Sequence, residues 1–383
     1  MTRISFVSSY PPIRGRLSEY AYNLIEELRK CPSISHIDIV TDVAGNQKVE
    51  KINDKITIHR VYKADNLLSF LFILPKILSL KPDIVHFNVH MAVFGHSRLA
   101  NFVGLSLPFV CRVIGFKTVV TLHNIIETID IEKTGYMNTF INRTGAFLAT
   151  KLLALTSAVT LTMKSHADFF KKRYRCNNVK VIPHGTWKNG LEDNGHFWAS
   201  GTILYMGHSG PYKDLNLLFD AFQKLEKKRP EVRLIVGGVS HPNYPGFLER
   251  CRFHHSSTNI YFTGYIPDNQ LPAILGNANV VVLPYFTCTG TSGVAHLASS
   301  YGAPIVATDL PEFRELAKEG CGIIVAAHNS EALAQAMEEV IVNRNLGLKL
   351  REQSLYFARK RTWDIIAARF CGLYSELLNR EGK

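Results

Sequence analysis

A loop of small residues in the second half of the chain carries the pattern of an anion-binding site. The apolar, β-branched run 278–283 predicts a buried parallel strand. The loop 287–293 follows it, and a short helix is expected to begin there with Thr291 or Ser292 at the N-cap. Such a helix start presents backbone N–H groups and the positive end of a dipole, which favours phosphate. The alternative is a capped helix whose small residues serve packing.

The first half of the chain repeats the order of strand, loop and helix. Residues 3–9 predict a strand, 10–16 a turn-rich loop with a glycine, and 18–30 an amphipathic helix. The run 117–122 predicts another strand, and His123 stands just past its end. Ligands of α/β proteins lie at the carboxyl ends of the strands, so this place favours a ligand contact by His123, although a lone histidine is more often structural.

Length and composition indicate a soluble globular protein of two domains. The chain has 383 residues, of which 46% are hydrophobic and 20% are charged, and such a length exceeds one ordinary core. No apolar run approaches the ~18–20 residues of a membrane-spanning helix. The first residues lead straight into a strand, so no signal peptide is expected. Seven cysteines without a CxxC pair or a metal-ligand spacing suit a reducing cytoplasm and predict no metal site.

The positive charge lies almost entirely in the first half of the chain. Residues 1–187 carry 24 Lys and Arg against 13 Asp and Glu, whereas residues 188–383 carry 20 against 19. This asymmetry favours an anionic partner for the first half, such as an acidic membrane surface or a phosphorylated lipid acceptor. A dispersed, solvated excess of charge is the alternative. No nucleic-acid partner is expected, because the chain shows no zinc-finger spacing, basic repeat or RNA-binding motif.

The segment 66–81 is unusually apolar and is interrupted by Pro75. It is too short to span a bilayer. One interpretation is a helix packed between a sheet and a neighbouring helix. The other is an interfacial membrane helix, since Lys76 and Lys81 flank the apolar residues.

The segment 284–316 resembles the donor-binding region of retaining, GT-B-fold glycosyltransferases of the family 4 type, also described as glycosyltransferase group 1. The resemblance rests on the run AHLASSYGAPIVATD at 295–309 and on the loop before it. Many members of the family carry two Glu residues here, separated by seven positions. The matching positions in this chain hold Cys288 and His296.

Two segments of the first half resemble elements of the same family. The loop 10–16 resembles its Pro-Pro-x-x-Gly-Gly element, which meets the donor phosphate and the acceptor. Gly15 takes the first glycine position and Arg16 the second. The run VVTLHNI places His123 where the family has an active-site histidine beside the donor sugar and the acceptor.

Two segments of the second half extend the resemblance. The loop 207–214 resembles an element in which a basic pair holds the donor diphosphate. Lys213 takes the lysine position and His208 is nearest to the arginine position, and an ammonium group is a compact charge suited to phosphate. The segment 259–267 resembles the strand and turn whose backbone contacts the nucleotide base.

The resemblance implies an α/β protein of the GT-B fold, with two Rossmann-like parallel-sheet domains that face each other across a cleft. Residues 1–187 are expected to form the acceptor-binding domain and residues 188–363 the domain that binds the nucleotide sugar. Residues 364–383 are expected to form a C-terminal helix that returns to the first domain.

The resemblance also implies a function and a set of site residues. The expected reaction is metal-independent, front-face transfer of a sugar from a nucleotide-diphosphate sugar to a hydroxyl of a glycan, lipid-linked or polysaccharide precursor of the cell envelope, with no cofactor. The expected catalytic residues are His123, Lys213 and His296. The expected donor-binding residues are Gly15, Arg16, His208, Lys213, Tyr265, Ile266, Cys288, Thr291, Ser292, Gly293, Val294 and Glu315. The expected location is the cytoplasm, with peripheral association at the inner face of the membrane.

Two other functions remain open from the sequence. A catalytically reduced partner or regulatory subunit of the same fold is motivated by Cys288 and His296, and it would bind no nucleotide sugar. A nucleotide-sugar epimerase of the same architecture would consume its donor without an acceptor. Nicotinamide chemistry is not favoured, because no GxGxxG follows the first strand.

Overall fold

The computed structural model describes residues 1–13, 15–45, 47–95, 97–128, 139–188, 201–255, 257–287 and 290–379. Within these ranges the chain forms two sheets that are almost wholly parallel and that carry helices on their faces. This confirms the α/β architecture with two parallel-sheet units that the family resemblance implies.

The first sheet lies in the N-terminal half. Its strands are β1 (Thr2–Val7), β2 (Ile34–Asp42), β3 (Val49–Asn53), β4 (Ile56–Tyr62), β5 (Ile84–Val89), β6 (Lys117–Leu122), β7 (Ala158–Leu161) and β8 (Val179–Val181). Among the described residues they lie in the order β3-β4-β2-β1-β5-β6-β7-β8, and the one antiparallel pair is β3 with β4. Strand β5 is buried along its whole length, because helices cover both faces of the sheet.

The second sheet lies in the C-terminal half. Its strands are β9 (Thr202–Met206), β10 (Arg233–Gly237), β11 (Ile260–Gly264), β12 (Val280–Leu283), β13 (Ile305–Thr308) and β14 (Gly322–Val325). Their order is β11-β10-β9-β12-β13-β14, and every described pair is parallel. The run of apolar residues in β12 is fully buried at the centre of this sheet, as its composition predicts.

The helices pack on the faces of the two sheets. Those of the first half are α1 (Arg16–Leu28), α2 (Phe70–Leu80), α3 (Arg98–Ile114), α4 (Phe140–Ala154) and α5 (Lys164–Tyr174). Those of the second half are α6 (Leu215–Lys228), α7 (Phe247–His254), α8 (Leu271–Gly276), α9 (Gly293–Ser300), α10 (Pro311–Lys318), α11 (Ser330–Val342) and α12 (Arg344–Arg359), followed by α13 (Trp363–Asn379).

Residues 42–55 are expected to form a loop, and for part of this segment the expectation is wrong. β3 occupies Val49–Asn53 and pairs with β4 as the antiparallel edge strand of the first sheet. Three of its five residues are exposed. An edge strand of this kind needs no apolar face, so its sequence is as polar as that of a loop.

Helix α13 returns to the first half of the chain and packs against α1. Its apolar face, which includes Ile366 and Phe370, is buried in the core beneath β1, β2 and β5. The Tyr374 hydroxyl lies 2.6 Å from Nδ1 of His86, and Nε2 of His86 lies 2.7 Å from the Thr121 hydroxyl. Burial lowers the pKa of His86 to about 3. His86 therefore serves as a neutral core residue that joins α13 to the first sheet. Residues 380–383 of the expected C-terminal helix lie outside the described ranges.

The apolar segment at 66–81 contains α2, which packs against the first sheet and against α3, as the first of the two interpretations predicts. One face of α2, with Ile73 and Ile77, is buried in the first core, whereas Leu71 and Phe72 on the other face are exposed. Within the described ranges, none of the helices combines the length and the apolar character that a bilayer crossing requires.

Candidate active site between the two sheets

The loop that leads into α9 lies against the end of β6. A Cβ atom added to Gly290 would come within 2.1 Å of the carbonyl oxygen of His123. The backbones of the two halves of the chain therefore touch at this point, and only a residue without a side chain fits there. The structure thus brings the two predicted loops, one after β6 and one after β12, to the same place.

The imidazole of His123 is held by two neighbours in the first half. Its Nε2 lies 2.6 Å from the side-chain oxygen of Asn88, which lies near the end of β5. The ring of Tyr20, from α1, meets it edge-on at a centroid distance of 4.6 Å. His123 is partly exposed, whereas Asn88 and Tyr20 are buried. Its ring orientation is therefore set by the core beneath it.

Lys213 stands at the carboxyl edge of the second sheet, in a single turn before α6. Its side chain is only 8% exposed, and its ammonium lies 5.0 Å from the ring centroid of Tyr285. A Cβ added to Gly207 would meet that ammonium at 2.9 Å and the Val294 side chain at 3.4 Å. The cation is thus held by aromatic faces beside the start of α9. A cation and a helix N-terminus side by side both favour an anion.

Ser292 occupies the N-cap position that the sequence predicts. Its hydroxyl accepts the N–H of Ala295 at 3.3 Å, while its own N–H donates to the carboxylate of Glu312, which is buried. The Ser292 amide is expected to donate to a bound phosphate, but in this structure the Glu312 carboxylate accepts its hydrogen bond. Gly293 and Val294 are the next two residues at the start of the helix.

Thr291 and Glu315 connect the two halves of the chain. The hydroxyl of Thr291 lies 2.6 Å from that of Thr162, which follows β7. The carboxylate of Glu315 accepts the N–H of Ser165 at 2.9 Å and that of Lys164 at 3.4 Å, so it caps α5 of the first domain. These expected donor-binding residues therefore hold the domains together in this structure.

His296 is buried at the junction of the domains. Its Nδ1 lies 3.2 Å from the carbonyl oxygen of Ser292, the N-cap of α9. The rings of His184 and Phe357 lie at centroid distances of 4.9 Å and 5.5 Å. Burial, and then the neighbouring His184, hold the pKa of His296 well below its usual range. The imidazole of His296 is therefore neutral at pH 7.

The remaining predicted residues are spread along the same edges. Gly15 is the N-cap of α1, and a Cβ added to it would meet none of the described residues outside its own helix within 4 Å. His208 is exposed and its ring lies 6.0 Å from that of His241. Tyr265 is 58% exposed and Ile266 is buried, directly after β11. Cys288 and the side chain of Arg16 lie outside the described residues.

Sequence reasoning missed four residues that shape this site. They are Tyr20, Asn88, Thr162 and Tyr285, which contact the expected residues described above. Asn88 had one local signal, because it is a polar residue in an apolar strand. The others look like ordinary residues of helices and strands, and only the packing of distant segments brings them to the site.

Comparison with known proteins confirms the family resemblance. Residues 192–361 match the model of the family described as "Glycosyl transferases group 1". A phosphatidyl-myo-inositol mannosyltransferase of Mycobacterium leprae is 26% identical over 186 residues, which are 48% of this chain and 48% of that protein. The chain thus spans about half the length of the curated relatives that it matches.

Solved structures extend the similarity to nearly the whole chain. Sucrose-phosphate synthase from Thermosynechococcus elongatus superimposes with a TM-score of 0.77 at 18% identity, over 98% of this chain and 99% of that one. HepE of Anabaena, solved in complex with UDP, gives a TM-score of 0.72 at 17% identity, over 98% and 100%. These structures confirm the GT-B fold.

Proposed function

We propose that this protein is a retaining glycosyltransferase that moves a hexosyl group from a nucleotide-diphosphate sugar to an acceptor hydroxyl. The observation that carries the proposal is the position of Lys213, whose buried ammonium lies beside the start of α9. The loop that leads into this helix lies against His123. An anion site next to a partly exposed histidine suits a donor with both a diphosphate and a sugar, and the family match over 192–361 supports the same proposal.

The reaction breaks the bond to the leaving diphosphate and forms a bond to the acceptor. The bond between the anomeric carbon and the diphosphate oxygen breaks while the acceptor oxygen bonds to that carbon on the same face. The acceptor proton passes to the leaving phosphate oxygen. Stabilising the charge on the diphosphate is the main task, and Lys213 and the N-terminus of α9 are the groups that perform it. His123 positions the reacting sugar, and no metal ion takes part.

Direct binding tests this function. Calorimetric titration of the protein with UDP-, GDP- and ADP-sugars, in EDTA, is expected to show binding of one nucleotide family. Donor consumption is then expected only when an acceptor is added, which separates transfer from epimerisation. Binding of none of these nucleotides would favour the regulatory-subunit alternative. Binding that requires a divalent cation would overturn the metal-independent mechanism.

We further infer that the acceptor is presented at an anionic membrane surface. The neighbouring helices α2, α3 and α4 contain five basic residues and neither Asp nor Glu. Large apolar side chains are exposed on the same helices. They include Leu71, Phe72, Leu99, Val113, Phe140 and Ile141. A basic surface that also exposes apolar side chains suits a bilayer with anionic lipids.

A lipid acceptor agrees with this surface. The relative from Mycobacterium leprae is named for phosphatidyl-myo-inositol, whose headgroup lies at a membrane surface. The exposed residues belong to the first domain, which is the domain expected to bind the acceptor. We define the exposed apolar and basic residues of α2, α3 and α4 as the lipid-facing surface of this protein.

A further inference from the structure

We propose that Asn88 is a positioning residue that fixes the tautomer of His123. Asn88 belongs to β5 and is fully buried. Its side-chain amide nitrogen lies 2.9 Å from the Ser8 hydroxyl and 3.2 Å from the carbonyl oxygen of Leu17. Its oxygen lies 2.6 Å from Nε2 of His123. One carboxamide thus joins β1, the start of α1 and the end of β6.

The orientation of this carboxamide follows from its partners. The carbonyl oxygen of Leu17 can only accept a hydrogen bond, so it must face the NH₂ group of Asn88. The Ser8 hydroxyl donates to the carbonyl oxygen of Ser9 at 2.8 Å and is therefore left as an acceptor for the same NH₂ group. A flipped amide would set its oxygen against the Leu17 oxygen. The Asn88 oxygen consequently faces His123.

This orientation determines where the imidazole carries its proton. The Asn88 oxygen accepts, so Nε2 of His123 must donate. In the neutral ring Nδ1 is then the unprotonated nitrogen, which accepts. Any group that meets Nδ1 must bring its own proton. A sugar hydroxyl brings one, whereas an ionised phosphate oxygen does not.

Two further contacts keep the ring in this orientation. The N–H of His123 donates to the carbonyl oxygen of Val89 at 3.0 Å and so continues the β5–β6 pairing past the end of β6. The buried ring of Tyr20 meets the imidazole edge-on, with 81° between their planes. Tyr20 is itself packed against Trp363 of α13 at a centroid distance of 5.0 Å. The imidazole therefore has a rigid support on the side away from the cleft.

The consequence for specificity rests on the proposed function. Within that function, His123 is assigned to a hydroxyl of the donor sugar or of the acceptor. The diphosphate is assigned to Lys213 and the start of α9, which belong to the second half of the chain, whereas His123 belongs to the first. Asn88 makes this division by holding the proton on the nitrogen that faces the core.

Nitrogen NMR of the full chain, labelled with ¹⁵N-histidine, tests the assignment without any turnover. The His123 signals are identified by their loss in a His123→Gln variant. In the wild type the ring is expected as the single tautomer protonated at Nε2. Asn88→Leu removes the acceptor, and a mixture of the two neutral tautomers is expected. Tyr20→Phe, which leaves the ring contact in place, is the control and is expected to match the wild type.

A wild-type ring protonated at Nδ1, or an unchanged tautomer in Asn88→Leu, would overturn the proposal. Should Asn88→Leu fail to fold, Asn88→Ala removes the same acceptor with a smaller side chain, and the same mixture of tautomers is expected. Unchanged His123 signals in that variant would count against Asn88. In turnover, Asn88→Leu is expected to lower kcat roughly tenfold, as one lost hydrogen bond implies. A fixed tautomer in a protein that binds no nucleotide sugar would overturn the proposed function and leave this inference intact.

Discussion

The carboxylate of Glu315, in the second domain, accepts the backbone N–H of Ser165 at 2.9 Å and so caps α5 of the first domain. A negative charge at a helix N-terminus is favourable, because it meets unpaired N–H groups and the positive end of the dipole. Here the cap comes from the opposite domain. The contact exists only while the two domains are close together, so it stabilises the arrangement in which Gly290 touches His123.

Replacing Glu315 by Ala is therefore expected to loosen this arrangement. The free energy of unfolding of the first domain is expected to fall by about 1 kcal/mol, the usual cost of a lost helix cap. Small-angle scattering is expected to show a larger radius of gyration. Glu319→Ala, which removes an exposed pair with Arg361, is the control. Unchanged scattering in Glu315→Ala would contradict the role of this contact.

Replacing Lys213 by Met is expected to weaken nucleotide-sugar binding about 10- to 100-fold. A hydrogen bond to a charged group contributes about 1.5–3 kcal/mol, and each 1.4 kcal/mol changes the affinity tenfold. Methionine keeps the apolar stem between the aromatic rings, so the fold is expected to persist. Lys224→Met, on the exposed side of α6, is the matched control. Calorimetry that finds the same affinity in Lys213→Met and in the wild type would refute the diphosphate assignment.

The lipid-facing surface predicts that binding to anionic vesicles depends on exposed aromatic residues of the first domain. The double variant Phe72→Glu and Phe140→Glu is expected to abolish co-sedimentation, because it removes apolar contacts and adds negative charge. Added salt is expected to weaken binding of the wild type. Phe253→Glu, which changes an exposed Phe in α7 of the second domain, is expected to have no effect. Vesicle binding that survives the double variant would contradict this surface.

Two buried histidines predict a loss of stability in mild acid. Burial lowers the pKa of His86 to about 3 and holds that of His296 well below its usual range. Below about pH 6.5 these two imidazoles bind protons in the unfolded chain but stay neutral in the folded protein. The contribution of these histidines to the free energy of unfolding is therefore fully present above about pH 6.5. It falls as the pH decreases, by up to about 1.4 kcal/mol per pH unit for each histidine.

Urea unfolding between pH 7.5 and pH 5 measures this slope. His296→Phe keeps an aromatic ring beside Phe357 and is expected to reduce the slope by the contribution of one histidine. The burial of His166 and His255 lowers their pKa values as well, so a residual slope of the same sign is expected. An identical slope in the variant would show that His296 is protonated in the folded state.

Two buried tyrosines predict opposite effects of the same substitution. The Tyr20 hydroxyl is buried and has no hydrogen-bond partner among the described residues, so Tyr20→Phe is expected to raise the free energy of unfolding by about 1 kcal/mol. The Tyr374 hydroxyl bonds to His86, and Tyr374→Phe is expected to lower it by about 1–3 kcal/mol, because a buried nitrogen is left unpaired. Thermal or urea unfolding of both variants checks the signs.

Much of the fold was readable from local sequence. Buried parallel strands such as β12 are continuous apolar runs, and the cap of α9 carries a serine at the required position, because both are determined by neighbours in the chain. The edge strand β3 was not predicted, because an edge strand needs no apolar pattern. The sequence also determined the charge asymmetry, since the five basic residues of α2, α3 and α4 stand without an acidic residue in any of these helices.

The site was predictable only as a set of loops. Sequence alone placed Ser292 and His123 after strands, where the carboxyl edge of a parallel sheet collects ligand-binding groups. The family resemblance placed Lys213 in a loop expected to meet the diphosphate. Only the tertiary structure decided that Glu315 caps a helix of the other domain and that Asn88 orients His123. The reason is physical: a hydrogen bond between groups 35 or 150 positions apart depends on how whole sheets and helices pack. No local pattern of residues encodes that packing.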